Sequence, residues 1–124
     1  MNGKLPDNPV LLNNLAWLYG EKNNPRAFEI GQRALDLAPD SPEVMDTLGW
    51  LETTKRDLKK GVALLAKSYA LNSKDPNVGY HYAAALQRNG DQVQAKDVLV
   101  KSLQANPSFK ERTEAELLLK QLGG

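Results

Sequence analysis

The sequence predicts an all-α chain of stacked helix pairs, and three observations carry that prediction. One short element recurs: Leu15-Ala16-Trp17, Leu48-Gly49-Trp50 and Tyr82-Ala83-Ala84 stand 33 and 34 residues apart. A second shared element follows each copy: Arg33-Ala34-Leu35-Asp36-Leu37-Ala38-Pro39, then Lys67-Ser68-Tyr69-Ala70-Leu71-Asn72-Ser73, then Lys101-Ser102-Leu103-Gln104-Ala105-Asn106-Pro107. Apolar residues also return every three or four positions, the period of a helix with one buried stripe. A repeat in the low thirties marks a solenoid whose units bury their apolar faces only against their neighbours. Such stacks present extended surfaces to other chains.

The apolar stripes place seven helices. Val10, Leu11, Leu12, Leu15, Leu18 and Tyr19 mark the first, and Ala27, Phe28, Ile30, Ala34, Leu35 and Leu37 the second. Val44, Met45, Leu48 and Leu51 mark the third; Val62, Leu64, Leu65, Tyr69 and Leu71 the fourth. Tyr82, Ala85 and Leu86 mark the fifth, Val93, Val98, Leu99 and Leu103 the sixth, and Ala115, Leu118, Leu119 and Leu122 the seventh. Asn8-Pro9, Asn24-Pro25, Ser41-Pro42 and Asp75-Pro76 each set a capping side chain before a proline at the first helical position. The cap oxygen accepts an orphan backbone N–H, and proline has none to leave unsatisfied. Asp57 and Asp91 are the expected caps of the fourth and sixth helices, and Ser108 with Glu111 matches a capping box for the seventh. The organisation is therefore an N-terminal arm over 1–8, helix pairs over 9–41, 42–75 and 76–109, and a capping helix over 110–122.

Composition narrows the function classes. Sixteen Lys and Arg face fifteen Asp and Glu, so no basic stripe supports nucleic-acid binding by counterion release. The absence of Cys removes thiolate nucleophiles, disulfides and Cys-based zinc sites. No apolar run is long enough to cross a membrane, and no basic-then-apolar signal segment opens this chain. Neither observation assigns a compartment.

With Pro9, Pro42 and Pro76 as position 1 of each unit, position 7 is Leu15, Leu48 and Tyr82, and position 8 is Ala16, Gly49 and Ala83. Position 20 is Ala27, Gly61 and Ala95, allowing for one residue missing from the first inter-helix turn; position 27 is Ala34, Ser68 and Ser102, and position 32 is Pro39, Ser73 and Pro107. This pattern resembles the tetratricopeptide repeat, a helix–turn–helix unit of about 34 residues, across roughly residues 9–109. The resemblance implies a right-handed α-α superhelix, with positions 8 and 20 small because the two helices of a unit cross there. Three positions depart from the pattern: Gly79 for a bulky residue at position 4, Glu52 for the usual aromatic at position 11, and Ser73 for the closing proline. A narrower likeness rests on Asn13-Asn14-Leu15-Ala16-Trp17-Leu18-Tyr19, Asp46-Thr47-Leu48-Gly49-Trp50, Tyr80-His81 and the tail Phe109-Lys110-Glu111-Arg112 followed by Ala115-Glu116-Leu117-Leu118. These segments are similar to the C-terminal end of bacterial repeat lipoproteins linked to exosortase and exopolysaccharide systems. That likeness implies an envelope or periplasmic setting and assembly or export work; without it the cytoplasm is the expectation.

The resemblance also implies where a partner docks. In this family positions 2, 5, 9, 12 and 13 of the first helix of each unit line the groove. The candidate partner-binding residues are Asn13, Trp17 and Glu21, then Asp46, Trp50 and Thr53, then Tyr80, Gln87 and Arg88. Both tryptophans fall at position 9 of neighbouring units, about 10 Å apart at helix packing distance. Aromatic anchors are enriched at binding hot spots, but tryptophans so placed also fill space between layers, and both readings stand. The cationic residues with which chaperone-docking members grip a terminal carboxylate are not matched by Asn13, Trp17, Thr47, Asn77 and His81. A neutral, aromatic groove suits a peptide or partner helix with apolar anchors.

The two ends of the stack differ. The seventh helix carries Lys110, Glu111, Arg112, Glu114, Glu116 and Lys120 around one leucine-rich stripe, as a polar cap should. At the other end Leu11 and Leu18 occupy positions 3 and 10, which in later units (Val44 and Leu51, Val78 and Ala85) pack on the preceding unit. Burying each leucine is worth roughly 2 kcal/mol. Leu11 and Leu18 therefore mark an N-terminal edge contact, with a longer array, a second copy, or the 1–8 arm folded back. His81, the one histidine, reads as a surface or half-buried polar residue, and Lys55, Arg56, Lys59 and Lys60 as a solvated turn. No nucleophile–base–orienter set is visible, and Glu21, Glu43, Asp46 and Glu52 on the first helices disfavour RNA. The expectation is a non-catalytic module that takes a protein or peptide partner, with no cofactor, no metal, no nucleic acid and no membrane insertion. The alternative is a purely architectural segment of an array or homo-oligomer.

Overall fold

The computed structural model describes residues 7–106 and 108–123, and these form seven α-helices. They are α1 (Pro9–Glu21), α2 (Arg26–Leu37), α3 (Pro42–Lys55), α4 (Leu58–Leu71), α5 (Pro76–Arg88), α6 (Gln92–Ala105) and α7 (Arg112–Gln121). Of the expected arm only Asp7 and Asn8 are among the described residues, and Pro107 at position 32 lies outside them. Consecutive helices pack together along the chain, and α1 also packs on α3 and α3 on α5. The first helices of the pairs thus share one face.

Most helix starts follow their caps. Asn8 Oδ1 accepts from the Val10 and Leu11 N–H groups, Ser41 Oγ from Val44, Asp57 Oδ1 from Lys60 and Asp75 Oδ1 from Asn77. Asn24 Oδ1 accepts from Arg26, and α2 begins one residue after Pro25. Two expected caps are corrected. Asp91 makes no cap bond; its carboxylate accepts from the Asn89 side chain instead. Glu111 stands at the start of α7 without a reciprocal box, because its carboxylate is drawn away to His81. Asn23, in the shortened first turn, takes a left-handed φ of 57°, which asparagine tolerates better than most residues. There its side-chain oxygen accepts from Lys55 Nζ at 2.6 Å.

Packing explains the small residues. Ala16 and Ala27 are buried together in one apolar cluster with Leu12, Ile30, Ala34, Val44 and Leu51. Ala83 and Ala95 are buried in a second cluster with Leu65, Leu86, Val98, Leu99, Ala115 and Leu118. Between them Gly49 and Gly61 bring α3 and α4 so close that a Cβ on Gly61 would stand 2.8 Å from the Gly49 carbonyl oxygen. Gly79 departs from the repeat pattern for a similar reason: a side chain there would run into Ser102 on α6. Ser102 Oγ donates back to the Val98 carbonyl, and its counterpart Ser68 donates across to the Pro42 carbonyl at 2.7 Å.

Glu52 is a second of the three departures. Its side chain is wholly buried and accepts from Arg56 Nε at 2.9 Å and Nη2 at 2.5 Å, with Lys60 Nζ at 3.5 Å. A buried carboxylate requires such partners. The Arg56 guanidinium also lies 4.1 Å over the Phe28 ring. The basic cluster around this turn is therefore partly structural: Arg56 and Lys60 neutralise Glu52.

At the α1 edge Leu11 and Leu18 are each 51% exposed, whereas Val44, Leu51, Val78 and Ala85 at the same repeat positions are buried. Replacing both leucines with glutamate should leave monomer stability within about 0.5 kcal/mol, checked by urea unfolding of the double variant at low concentration. A loss of several kcal/mol would mean that these side chains belong to the core.

Candidate partner-binding groove

Position 9 of α1 and α3 projects Trp17 and Trp50 onto the shared first-helix face, where both are half-buried. The two indoles line one cleft of about 270 Å³ with Gly20, Glu21, Leu51, Thr54 and Lys55. Gly20 opens the space, because a side chain there would collide with Leu51. That volume lies at the small end of ligand sites, and suits one bulky side chain better than a cofactor. On the other flank of Trp17 a shallower cleft is lined by Asn13, Asn14, Leu18 and Thr47. Asn13 Oδ1 is buried there with no hydrogen-bond partner.

The floor beside the tryptophans is formed by His81. Its ring stacks on Trp50 at 4.3 Å between centroids, and Trp17 and Tyr80 approach it at 5.9 and 5.7 Å. Only 2% of His81 is exposed, which corrects the expectation of a surface or half-buried residue. Nδ1–H donates to Asp46 Oδ1 of α3 at 2.8 Å, and Nε2–H donates to both Glu111 oxygens at 3.0 Å. Two donors require the imidazolium. Burial alone would push its pKa down, but Asp46 and then Glu111 outweigh it and raise it to about 9. His81 is therefore a buried cation between two carboxylates from separate parts of the chain, under an indole face that favours positive charge.

The other expected groove residues divide. Glu21 is exposed on the rim of the cleft. Tyr80 packs against Trp50 at 5.9 Å, and burial followed by the Glu111 charge raises its phenol pKa. Arg88 sits 5.8 Å over Trp50 and donates to the Thr53 carbonyl at 3.3 Å, so its charge is placed at the indole. Gln87 is half-buried on α5. Asp46 lies on the expected face, but its carboxylate is committed to His81. Thr53 is the one candidate the structure removes: it is buried, and its hydroxyl lies against the Gly61 position of α4. Thr54, one residue and 100° further round the helix, lines the cleft instead.

Sequence reasoning missed the His81 pairing, Glu111 and Lys55, whereas Thr54 holds position 13, one of the groove positions the resemblance implies. A signal for the first existed: Asp46 and His81 hold positions 5 and 6 of consecutive units, so stacking sets them side by side. Glu111 gave none, since its place depends on the path of the segment between α6 and α7.

No protein-family model and no curated protein matches the sequence. Solved structures do match. The first TPR of Spaghetti (RPAP3) bound to an HSP90 peptide superposes with a TM-score of 0.81 at 16% identity, over 93% of this chain and 92% of that one. The Yersinia enterocolitica type III secretion chaperone SycD, in complex with a peptide of the translocator YopD, gives 0.79 at 16% identity, over 98% and 97%. A Thermobaculum terrenum O-GlcNAc transferase gives 0.77 at 18% identity over 95% of this chain, which spans 23% of the transferase. By helix order and by superposition, this chain has the stacked helix-pair fold of these tetratricopeptide-repeat structures.

Proposed function

We propose that the chain is a non-catalytic protein-interaction module that takes a peptide or partner helix along the face of α1, α3 and α5. One observation carries this reading: Trp17 and Trp50 share a cleft large enough for one bulky side chain. Two of the similar structures are peptide complexes, which supports a peptide as occupant. The ligand fitting this cleft has an apolar or aromatic anchor, because indole and Leu51 make its walls while Glu21 and Lys55 leave the rim without a dominant charge. The narrower bacterial likeness of the Asn13–Tyr19 and Asp46–Trp50 segments favours a larger envelope or export assembly as the setting.

The test is a displayed peptide library selected on the wild-type chain, followed by titration of the selected peptides. Trp17→Ala and Trp50→Ala should each weaken binding by about 2 kcal/mol or more, roughly thirtyfold, with unchanged helical circular dichroism. Binders insensitive to both substitutions would place the site elsewhere, and loss of helicity would make the indoles packing elements only.

A second reading, an architectural segment, draws on Leu11 and Leu18. Their exposure at repeat positions that are buried elsewhere in the chain favours a helix pair of a second copy against the α1 edge. Sedimentation that shows a dimer dissociated by the Leu11→Glu, Leu18→Glu pair supports it; a monomer at high concentration excludes self-association.

A further inference from the structure

The Asp46–His81–Glu111 arrangement joins three parts of the fold at one ring. Asp46 comes from α3, His81 from α5, and Glu111 from the non-helical stretch that leads into α7. Besides Glu111, α7 is held by apolar packing and, just past its C-terminal end, by Lys96 Nζ of α6, which donates to the Gly123 carbonyl at 3.3 Å. Ala115 and Leu118 enter the apolar core, Leu119 and Leu122 are half-buried, and Leu117 is 55% exposed. No side chain caps its first turn. Glu111 is therefore the polar tie between the capping helix and the groove floor. The same imidazolium stacks on Trp50, so the group that receives the tie also supports a binding-face indole.

We propose that His81 is a positioning residue that couples the docking of α7 to the setting of Trp50 in the groove, with Glu111 as the latch. When Glu111 leaves, the ring loses one of its two carboxylates, its charge is no longer doubly balanced, and Trp50 loses a fixed cationic neighbour. When α7 lifts, Glu111 leaves with it. Coupling of this kind is reciprocal: whatever loosens α7 must ease deprotonation of His81, and deprotonation must loosen α7. A neutral imidazole has one N–H to donate, so it keeps one carboxylate and sets a lone pair against the other. Asp46 lies on a packed helix and Glu111 on the non-helical stretch, so Glu111 is the partner released.

Several charged and titratable groups among the described residues face the ring or its aromatic neighbours. They are Asp46 from α3, Glu111 from the segment before α7, the Tyr80 phenol and the Arg88 guanidinium from α5, and Glu114 of α7, which acts on Tyr80. The neighbour from α1 is Trp17, which does not titrate. The proposal deepens the groove reading through Trp50, but its test needs no ligand, so the two can fail separately.

His81 is the one histidine in the sequence, so its ring-proton resonance is unambiguous. Trp50 can be read alone in a Trp17→Phe, Tyr80→Phe background. In that background, Trp50 emission and the His81 resonance should titrate together near pH 9, and His81→Gln should abolish the emission change. Glu111→Gln should lower both midpoints by at least one pH unit and speed amide exchange in α7 at least tenfold at pH 7, leaving α1 and α2 unchanged. Leu118→Ala, which loosens α7 through packing alone, should also lower the His81 midpoint. If Leu118→Ala speeds α7 exchange while the midpoint stays near 9, the coupling is overturned. It is equally overturned if Glu111→Gln leaves the midpoint in place, or if Trp50 emission does not follow His81.

Discussion

Replacing His81 with glutamine is expected to destabilise the fold by about 3 kcal/mol at pH 7. Removing one partner of a buried ion pair typically costs about 3–5 kcal/mol, because the remaining charge stays buried without compensation. Here one cation serves two carboxylates, whose side chains are 15% and 19% exposed. Water reaches them partly, which places the cost at the lower end. The raised pKa points to a similar figure. A pKa of about 9 in the fold against the ordinary 6.5 corresponds to about 3 kcal/mol of preference for the charged form. The sign follows from the direction of the shift. Because the folded value is the higher, the contribution is fully present below pH 6.5 and is lost as pH rises through about 9. Urea unfolding from pH 6 to 10 should therefore show wild type and His81→Gln far apart at low pH and converging above 9. A gap that is independent of pH would mean that His81 acts through shape rather than charge.

Gly61→Ala is expected to cost about 2 kcal/mol, although alanine is the better helix former by about 1 kcal/mol. The new methyl would stand 2.6 Å from the Thr53 nitrogen and 2.8 Å from the Gly49 oxygen. Both are backbone atoms of α3, so relief requires the helices to separate rather than a side chain to turn. Overpacking of this kind costs about 1–3 kcal/mol, and immovable neighbours put it at the upper end. Gly31→Ala is the control. Its nearest obstacle is Leu48 Cδ1 at 3.1 Å, a side-chain end that can move, so helix propensity should leave that variant near wild-type stability. Equal urea midpoints for the two variants would show that the α3–α4 approach is looser than its geometry.

These two residues differ in how far they could be read in advance. Gly61 and Gly49 were legible because a repeat aligns them with Ala27 and Ala95, and with Ala16 and Ala83: a small residue in every copy implies a crossing in every copy. The caps at Asn8, Ser41, Asp57 and Asp75 were legible because a cap bond is made within three residues. Where the outcome turned on a distant group, local reading failed. Glu111 carries the spacing of a capping box, yet a buried imidazolium thirty residues earlier takes its carboxylate. Glu52 resembles a solvent-facing acid until Arg56 and Lys60 close over it. Thr53 and Thr54 both hold groove positions of the repeat, and a 100° step per residue turns the first to the α4 contact and leaves the second in the cleft.

From its sequence alone this chain declares its period, its helix pairs, its close crossings and the register of its two tryptophans, because each is a local or repeated property. Only the tertiary structure decides the charge state of His81, the burial of Glu52 and the tie from Glu111 to the groove floor. Burial strips water from a polar group and leaves its state to whichever partners the fold brings within hydrogen-bond reach, and those partners lie outside any local window of the sequence.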